Sequence, residues 1–306
     1  MDVGMVGLGR MGMNMALRLI GGGHRVVAFN RSPEKVKEIA RKGADPAYSP
    51  TELIAKLKRP RFVWIMLPAG APTAHMIAEL LPLLTKGDVI IDGGNSLYKD
   101  DVRRAEELGR HGIGYLDAGV SGGIWGLRNG YCVMMGGQKR LYAKLLPLLK
   151  TLAPKDGYLY CGPAGSGHFV KMIHNGIEYG MMAAIGEGFA LMEASPYANE
   201  LDYQAVAHLW NQGSVVRSWL MELAENAFRH DPRLSSLSGY VEDSGEGRWT
   251  VYQAVESAVP APVITAALFQ RFASRRPDDF INRLTAALRQ EFGGHAIKKK
   301  GRASNG

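Results

Sequence analysis

Three glycines near the start of the chain constrain its fold more than any other feature of the sequence. Gly7, Gly9 and Gly12 have the spacing G-x-G-x-x-G, follow the apolar run Val3–Val6 and open a segment with helical periodicity. In that setting the first glycine permits a tight turn, the second lets a pyrophosphate approach the backbone, and the third allows a helix to pack closely on a strand. Free amides at the helix start then hold the phosphates. The motif predicts a dinucleotide-binding fold, with a plain glycine turn as the alternative.

The residues after the second predicted strand bear on the choice of cofactor. Strand Arg25–Phe29 is followed by Asn30, Arg31 and Ser32, and no carboxylate occurs before Glu34. A ribose with a free 2′-hydroxyl usually meets an Asp or Glu here, whereas a 2′-phosphate meets an Arg and a hydroxyl donor. We therefore expect NADP rather than NAD, with Arg31 as the main discriminator and a solvated turn arginine as the alternative.

Apolar runs and amphipathic segments alternate up to about Gly162, which is typical of strands and helices around a parallel sheet. The predicted strands are Val3–Val6, Arg25–Phe29, Phe62–Met66, Val89–Ile91, Tyr115–Ala118, Cys132–Met135 and Tyr158–Tyr160. From Ser166 onward helical spacing predominates, over His168–Ala194, Asp202–Asn211, Val215–Arg229, Arg248–Glu256, Val263–Arg275 and Phe280–Gln290. We expect an α/β Rossmann-type doubly wound parallel sheet in residues 1–163, an all-α domain in 164–291 for the substrate and oligomer contacts, and a tail in 292–306.

The segment Gly165–Tyr179 has helical spacing with an unusual distribution of polar residues. Four polar side chains at i, i+3, i+4 and i+7 form one narrow stripe: Lys171, His174, Asn175 and Glu178. Apolar residues cover the rest, as in a buried helix with one edge facing a cavity. A cation and a carboxylate two turns apart suit the withdrawal and donation of protons at neighbouring carbons. The alternative is a buried pair whose charges merely offset each other.

Two further glycine-rich loops follow predicted strands, at the sheet edge where open α/β proteins bind ligands. They are Asp92-Gly93-Gly94-Asn95-Ser96 and Ser121-Gly122-Gly123. Asn95, Ser121 and the adjacent amides can donate hydrogen bonds to a carboxylate and hydroxyls, although either loop could be only a turn. Leu67-Pro68-Ala69, after the third predicted strand, is interpreted as an apolar wall beside the dinucleotide. The expected cofactor contacts are Gly7, Leu8, Gly9, Arg10, Met11, Gly12, Asn30, Arg31, Ser32, Leu67, Pro68, Ala69 and Asn95.

Composition narrows the choice of partner. The formal net charge of +8 favours an anion, but no basic stripe interleaved with aromatics indicates nucleic acid. No apolar run is long enough for a bilayer, and no secretion signal is recognised at the start of the sequence. Cys132 and Cys161 lack metal-ligand spacing and are predicted to be buried thiols, with one disulfide as the alternative. We expect a cytoplasmic protein with a small anionic ligand and no metal.

Taken together, these motifs resemble 6-phosphogluconate dehydrogenase, the decarboxylating enzyme, in its short form. The resemblance rests on Gly7–Gly12, Asn30–Ser32, Asp92–Asn95, Ser121–Gly123 and, above all, the long segment His168–Tyr179. It spans nearly the whole chain.

The resemblance implies oxidation and decarboxylation of 6-phosphogluconate to ribulose 5-phosphate, with reduction of NADP. Lys171 would take the proton from the 3-hydroxyl, and Glu178 would protonate carbon 1 of the resulting enediol. Tyr179 and Arg271 would hold the phosphate. The implied substrate contacts are Asn95, Ser121, Gly122, Gly123, His174, Asn175, Tyr179, Arg271, Arg289 and His295.

The resemblance also implies a homo-oligomer, because in the family Arg289 and His295 reach the active site of a neighbouring subunit. The alternative for Arg289 is a cation that stabilises a helix end. One departure concerns Ser244 and Glu246, which stand where long-form enzymes supply a lysine and a threonine to the substrate. We therefore expect the phosphate site to be rebuilt at this loop.

Two other functions compete with this one. A β-hydroxyacid dehydrogenase acting on a small unphosphorylated acid would use the same fold and lysine, but would leave Glu178 without a role. A non-catalytic NADP-binding sensor would keep the sheet domain, and the intact pair of Lys171 and Glu178 argues against it.

Overall fold

The computed structural model describes residues 1–276, 279–293 and 296. They group into two compact units, one formed by Met1–Ile177 with Gly245–Ser257, the other by Glu178–Ser244 with the described residues from Ala258 onward. The division falls inside a continuous helix, Ser166–Glu193. The predicted boundary at residue 163 marks where the strands end, and it stays a prediction.

The first unit is built on one eight-stranded sheet. Its strands are β1 Asp2–Val6, β2 Arg25–Phe29, β3 Asp45–Ala47, β4 Phe62–Ile65, β5 Val89–Asp92, β6 Gly114–Ser121, β7 Cys132–Gly137 and β8 Tyr158–Gly162. They lie in the order β3-β2-β1-β4-β5-β6-β7-β8. All neighbours are parallel except β6 and β7, which pair antiparallel. The predicted α/β fold is confirmed, with one strand, β3, that the sequence analysis missed.

The helices follow the strands in the first unit and predominate in the second. They are α1 Arg10–Gly21, α2 Pro33–Ala40, α3 Pro50–Lys56, α4 Ala71–Leu80, α5 Tyr98–Arg110, α6 Gly126–Asn129, α7 Lys139–Leu152, α8 Ser166–Glu193, α9 Tyr203–Trp210, α10 Trp219–His230, α11 Gly245–Glu256, α12 Pro262–Ser274 and α13 Phe280–Gly293.

Apolar side chains cover both faces of the sheet. Successive strand residues point to opposite faces, so Met5 packs on one side in a cluster with Leu19 of α1, whereas Val6 packs on the other in a cluster with Leu53 of α3. All four are buried. This two-sided burial leaves the strand ends and the loops after them as the places where polar groups can meet a ligand.

The second unit has its own aromatic core. Phe189 packs against Tyr203 and Phe228, with ring centroids 5.8 and 4.8 Å away. Helix α10 begins at Trp219 rather than at Val215 as predicted, because the Ser218 hydroxyl accepts a hydrogen bond from the Met221 amide at 3.2 Å and caps the helix there.

Two expectations about burial are wrong. Helix α8 carries apolar residues that the single chain leaves exposed: Val170 by 41%, Ile177 by 52% and Met181 by 41%. Cys132 is exposed and Cys161 is half-buried, and both are free thiols. Cys161 lies on the edge strand β8, and Cys132 is the first residue of β7, before the register with β8 begins at Val133. None of the described helices combines the length and apolarity needed to cross a membrane.

Candidate active site

The glycine loop lies between β1 and α1 at the carboxyl edge of the sheet. Gly7 has φ +93° and its amide donates to the Phe29 carbonyl at 2.9 Å, which forms the tight turn. Gly12 lies against the Gly7 carbonyl, so that any side chain there would collide with the backbone. A Cβ at Gly9, by contrast, would meet no atom within 4 Å. The motif thus folds as predicted, with open space at its second glycine.

Of the three residues after β2, one stabilises the glycine loop and two are exposed. The Asn30 Oδ1 atom accepts a hydrogen bond from the Leu8 amide at 2.9 Å and so shapes the glycine loop from within. Arg31 and Ser32 are exposed. Ser32 precedes α2 as its N-cap residue, and its side chain makes no capping hydrogen bond. A guanidinium and a hydroxyl are therefore available at the end of β2.

The loops after β4, β5 and β6 are joined at the same edge. Asn95, with φ +53°, accepts from the Val120 amide at 3.0 Å and donates to the Val120 carbonyl at 3.3 Å. Its second amide hydrogen stays available, since a carboxamide nitrogen carries two. This clamp brings Asn95 beside Ser121, with Gly122 and Gly123 next along the chain. A Cβ at Gly7 would lie 3.0 Å from the Leu67 side chain, which gives the loop an apolar neighbour.

Helix α8 brings three of the predicted polar residues together. Lys171 is buried, with 5% exposure, and its Nζ donates to Asn175 Oδ1 at 2.6 Å. The same Asn175 oxygen lies 3.0 Å from His174 Nδ1. Gly176 is required for packing, since a Cβ there would lie 2.6 Å from the Thr250 side chain. The amine of Lys171 is thus shielded from bulk solvent and held by an amide oxygen.

A buried ion network lies beneath the start of α8, and the sequence analysis did not recognise it. His168 Nδ1 lies 2.8 Å from Asp101 Oδ2, and Arg104 donates to Asp92 at 2.9 Å. The Tyr115 hydroxyl donates to Asp101 at 2.7 Å. The only local signal for this network was the i,i+3 pair of Asp101 and Arg104 on an otherwise amphipathic helix.

The network is charged at neutral pH. Burial lowers the pKa of His168, but the negative charges of Asp101, Asp92 and Asp117 outweigh it and raise the pKa to about 9. Burial raises the pKa of Asp101 to about 6 against the opposing effect of His168. Between these values the pair is an imidazolium and a carboxylate. Ligand atoms of Asp92, Asp101 and His168 lie within 4.8 Å of one another, but the Arg104 guanidinium already supplies the cation among them.

The second unit brings together the two residues expected to hold a phosphate. The Arg271 guanidinium lies 3.5 Å from the centroid of the Tyr179 ring. The Tyr179 hydroxyl accepts from the Ser244 amide at 2.6 Å and lies 3.1 Å from the Ser244 hydroxyl. Ser244, the residue that departs from the family pattern, is thus a direct neighbour of Tyr179.

The remaining predicted residues lie on α8, on α13 and beyond α13. Glu178 lies two turns after Lys171 in α8 and is half-buried. Arg289 is an exposed residue of α13. His295 lies outside the described residues.

Comparison with known proteins places both halves of the chain in one group. The model of the NAD binding domain of 6-phosphogluconate dehydrogenase matches residues 2–162, and the model of that enzyme's C-terminal domain matches residues 167–303. The Bacillus subtilis protein YqeC, provisionally named a 6-phosphogluconate dehydrogenase, is 47% identical over 300 residues, which span 98% of this chain and 100% of that protein. The NAD(+)-dependent, decarboxylating 6-phosphogluconate dehydrogenase of Haloferax volcanii is 43% identical and covers 98% of this chain and 99% of its own length.

Solved structures of other proteins are also similar to this chain. The 6-phosphogluconate dehydrogenase of Plasmodium falciparum, studied with NADP+ and with 6-phosphogluconate, superposes with a TM-score of 0.81 at 31% identity, over 98% of this chain and 67% of that one. The 3-hydroxyisobutyrate dehydrogenase of Mycobacterium tuberculosis, studied with L-serine, has a TM-score of 0.70 at 24% identity, over 94% of this chain and 99% of that one. At that identity the second likeness concerns the fold alone.

Proposed function

Because the chain belongs to the 6-phosphogluconate dehydrogenase family, we propose that it oxidises 6-phosphogluconate at carbon 3 and releases carbon dioxide to give ribulose 5-phosphate. The observation that carries the proposal is the Lys171 amine, buried in α8 and held at 2.6 Å by Asn175. A base is needed at the 3-hydroxyl, and an amine shielded from water is suited to that task.

The glycine loop fits a nicotinamide dinucleotide. The free space at Gly9 would admit a pyrophosphate, and the amides at the start of α1 would hold it. Leu67, Pro68 and Ala69 would form the apolar wall beside it. When bound, the cofactor would supply the hydride acceptor for carbon 3 of the substrate. The exposed Arg31 and Ser32 support NADP as this cofactor, and NAD is the alternative, since the Haloferax relative is named for NAD.

Lys171 has two tasks in the proposed reaction. It takes the proton of the 3-hydroxyl as the alcohol becomes a ketone. When the bond between carbons 1 and 2 breaks, its electron pair moves toward the carbonyl, and the ammonium of Lys171 stabilises the oxygen that becomes negative. Asn175 and His174 orient the amine, and Asn95, Ser121, Gly122 and Gly123 bind the sugar acid.

Glu178 completes the reaction by giving a proton to carbon 1 of the enediol. It follows Lys171 by two turns along the same helix. Tyr179 and Arg271 bind the phosphate through a hydroxyl and a guanidinium, with Ser244 beside them.

A homo-oligomer is supported by unpaired apolar surface. Residues Phe280–Glu291 of α13 are all exposed, and Ile281, Leu284 and Leu288 form a stripe at i, i+3 and i+7. We propose that a neighbouring subunit covers such surfaces and receives Arg289 and His295. The cytoplasmic location stays a prediction.

A panel of sugar acids tests the function. NADP reduction should be at least about 100-fold faster in kcat/KM with 6-phosphogluconate than with gluconate, because two phosphate contacts to charged or hydroxyl groups are lost with gluconate. Equal rates with gluconate or with a small β-hydroxy acid would favour the β-hydroxyacid dehydrogenase. Cofactor binding without turnover on any acid would favour the sensor.

Arg31→Ala tests the cofactor assignment. We expect kcat/KM for NADP to fall about 10- to 100-fold, because the variant lacks a charge-assisted bond to the 2′-phosphate, while kcat/KM for NAD stays within about twofold. Arg41→Ala, at an exposed arginine after α2, is the matched control and should change neither value. Equal losses with both cofactors for Arg31→Ala would refute the role of Arg31 as discriminator.

A further inference from the structure

Helix α8, which carries Lys171, has no capping side chain of its own. Its N-cap residue is Gly165, whose carbonyl accepts the first helical hydrogen bond from the Phe169 amide at 2.8 Å. Gly165 has φ +90°, and a Cβ there would lie 2.8 Å from the Tyr98 carbonyl oxygen. The Ser, Thr, Asp or Asn that usually caps a helix is therefore excluded at this position. The free amides at the helix start must find an acceptor elsewhere.

Asp117 of the neighbouring strand β6 supplies that acceptor. Its Oδ1 accepts from the Gly165 amide at 2.7 Å and its Oδ2 from the His168 amide at 2.9 Å. In an ordinary capping box, two side chains of the helix satisfy this pair of amides. Here one carboxylate with 0% exposure satisfies both, and its charge faces the positive end of the helix dipole. The sheet thus determines where α8 begins.

The same strand fixes the height of α8 above the sheet. Gly119 lies two residues after Asp117 and on the same face. A Cβ at Gly119 would collide with the Cβ of Lys171 and would lie 2.8 Å from the Gly167 carbonyl. Gly136 of β7 pairs with Asp117, and a Cβ at Gly136 would lie 2.7 Å from the Gly167 amide. The stem of Lys171 therefore rests directly on β6, with no space for the helix to move closer.

The side chain of His168 ties the first turn of the helix in a second direction. It bonds Asp101 of α5 at 2.8 Å, and Asp101 belongs to the buried network that includes Arg104. Both ends of this bond are fully buried. The His168 amide thus connects α8 to β6, and the His168 ring connects α8 to α5.

We propose that Asp117 is a positioning residue for the catalytic amine: by capping α8 from β6, it fixes where along the strand Lys171 stands. The inference rests on the proposed role of Lys171 as the base. Sliding a helix by one residue moves a side chain by 1.5 Å along the axis and turns it by 100°. Misplacing a catalytic group by about 1 Å can cost on the order of 100-fold in rate.

Asp117→Asn tests this role against a matched control. Asn offers only one acceptor and turns an NH2 group toward the second amide, so we expect kcat to fall about 10- to 100-fold while the cofactor KM stays within about twofold. With 3-deuterated substrate, the isotope effect on kcat should rise, because oxidation becomes slower than the other steps. Asp117→Ser removes the cap without introducing that NH2 group, because its hydroxyl is too short to reach the two amides, so it should lower kcat in the same way and is the softer variant if the Asn protein does not fold.

Asp88→Asn is the control. Asp88 is also a buried aspartate of this sheet unit, with 1% exposure, and it also accepts from two backbone amides, those of Arg61 at 2.8 Å and Thr85 at 2.9 Å. We expect it to lose comparable thermal stability with kcat and isotope effect unchanged. If Asp88→Asn and Asp117→Asn lower kcat equally, or if Asp117→Asn leaves kcat and the isotope effect unchanged, the positioning role is overturned.

A second readout does not depend on turnover. Acetylation of Lys171 by acetic anhydride, followed by peptide mass spectrometry without substrate, should be faster in Asp117→Asn than in the wild type and unchanged in Asp88→Asn. An unchanged rate in Asp117→Asn would contradict the proposal. If the wild type is inactive on 6-phosphogluconate, the proposed function fails, while the labelling still reports whether Asp117 holds Lys171.

Discussion

Replacing Lys171 by Met should lower kcat on 6-phosphogluconate by about 1,000-fold or more, since general acid–base catalysis contributes about 100- to 10,000-fold. Met is of similar length and can occupy the buried position without a charge, so the fold should persist. The dissociation constant for NADP should stay within about twofold, because the glycine loop is unchanged. A fixed-time assay measures kcat. A fluorescence titration with NADPH, displaced by added NADP, measures the dissociation constant for NADP.

A lysine outside the site gives the matched control for this substitution. Lys99 is exposed and pairs with Glu256 at 2.6 Å on the surface of the same unit. Lys99→Met should leave kcat unchanged, because an exposed ion pair contributes little to stability and touches no substrate in our account. If Lys171→Met kept a tenth or more of the wild-type kcat, Lys171 could not be the base.

Adding a methyl group at two glycines of the nucleotide loop should affect two different properties, cofactor binding at Gly9 and stability at Gly12. Gly9 has φ −64° and ψ −177°, which alanine adopts readily, and a Cβ there meets no protein atom. Gly9→Ala should therefore fold normally but weaken NADP binding about tenfold or more, because the methyl group fills the space where the pyrophosphate approaches.

Gly12→Ala should instead destabilise the protein. Its methyl group would collide with the Gly7 carbonyl and lie 3.1 Å from the Met66 Cβ, so α1 must move away from β1. Overpacking of this kind costs about 1–3 kcal/mol of unfolding free energy. Thermal unfolding and NADPH titration of both variants separate the two effects. Unaltered cofactor affinity in Gly9→Ala would refute the assignment of this loop to the pyrophosphate.

Much of the sheet could be predicted because its central strands are buried on both faces. Runs such as Val26–Phe29 and Val89–Ile91 are apolar without interruption, which is typical of parallel strands under two layers of helices. Strand β3 has only three residues and includes Pro46, so it carries no such signal. The antiparallel direction of β7 depends on tertiary pairing and leaves no mark in the local pattern.

The stripe on α8 could also be recognised, because helical spacing alone places Lys171, His174 and Asn175 on one side. The groups that hold those residues in place could not be recognised from the sequence. Asp117 lies about fifty residues earlier, inside an apolar strand, where a lone aspartate has no local pattern that indicates a cap for a distant helix. The exposure of Ile177 was missed for a related reason: apolar spacing shows that a face will be covered, but not whether the same chain covers it.

The ratio of carbon dioxide to NADPH tests the central claim most directly, namely that this chain decarboxylates the sugar acid it oxidises. With 6-phosphogluconate labelled at carbon 1, we expect one labelled carbon dioxide for each NADPH, and ribulose 5-phosphate as the product. NADPH formed with the label retained in an acid would contradict the account, because oxidation would then end without loss of carbon 1.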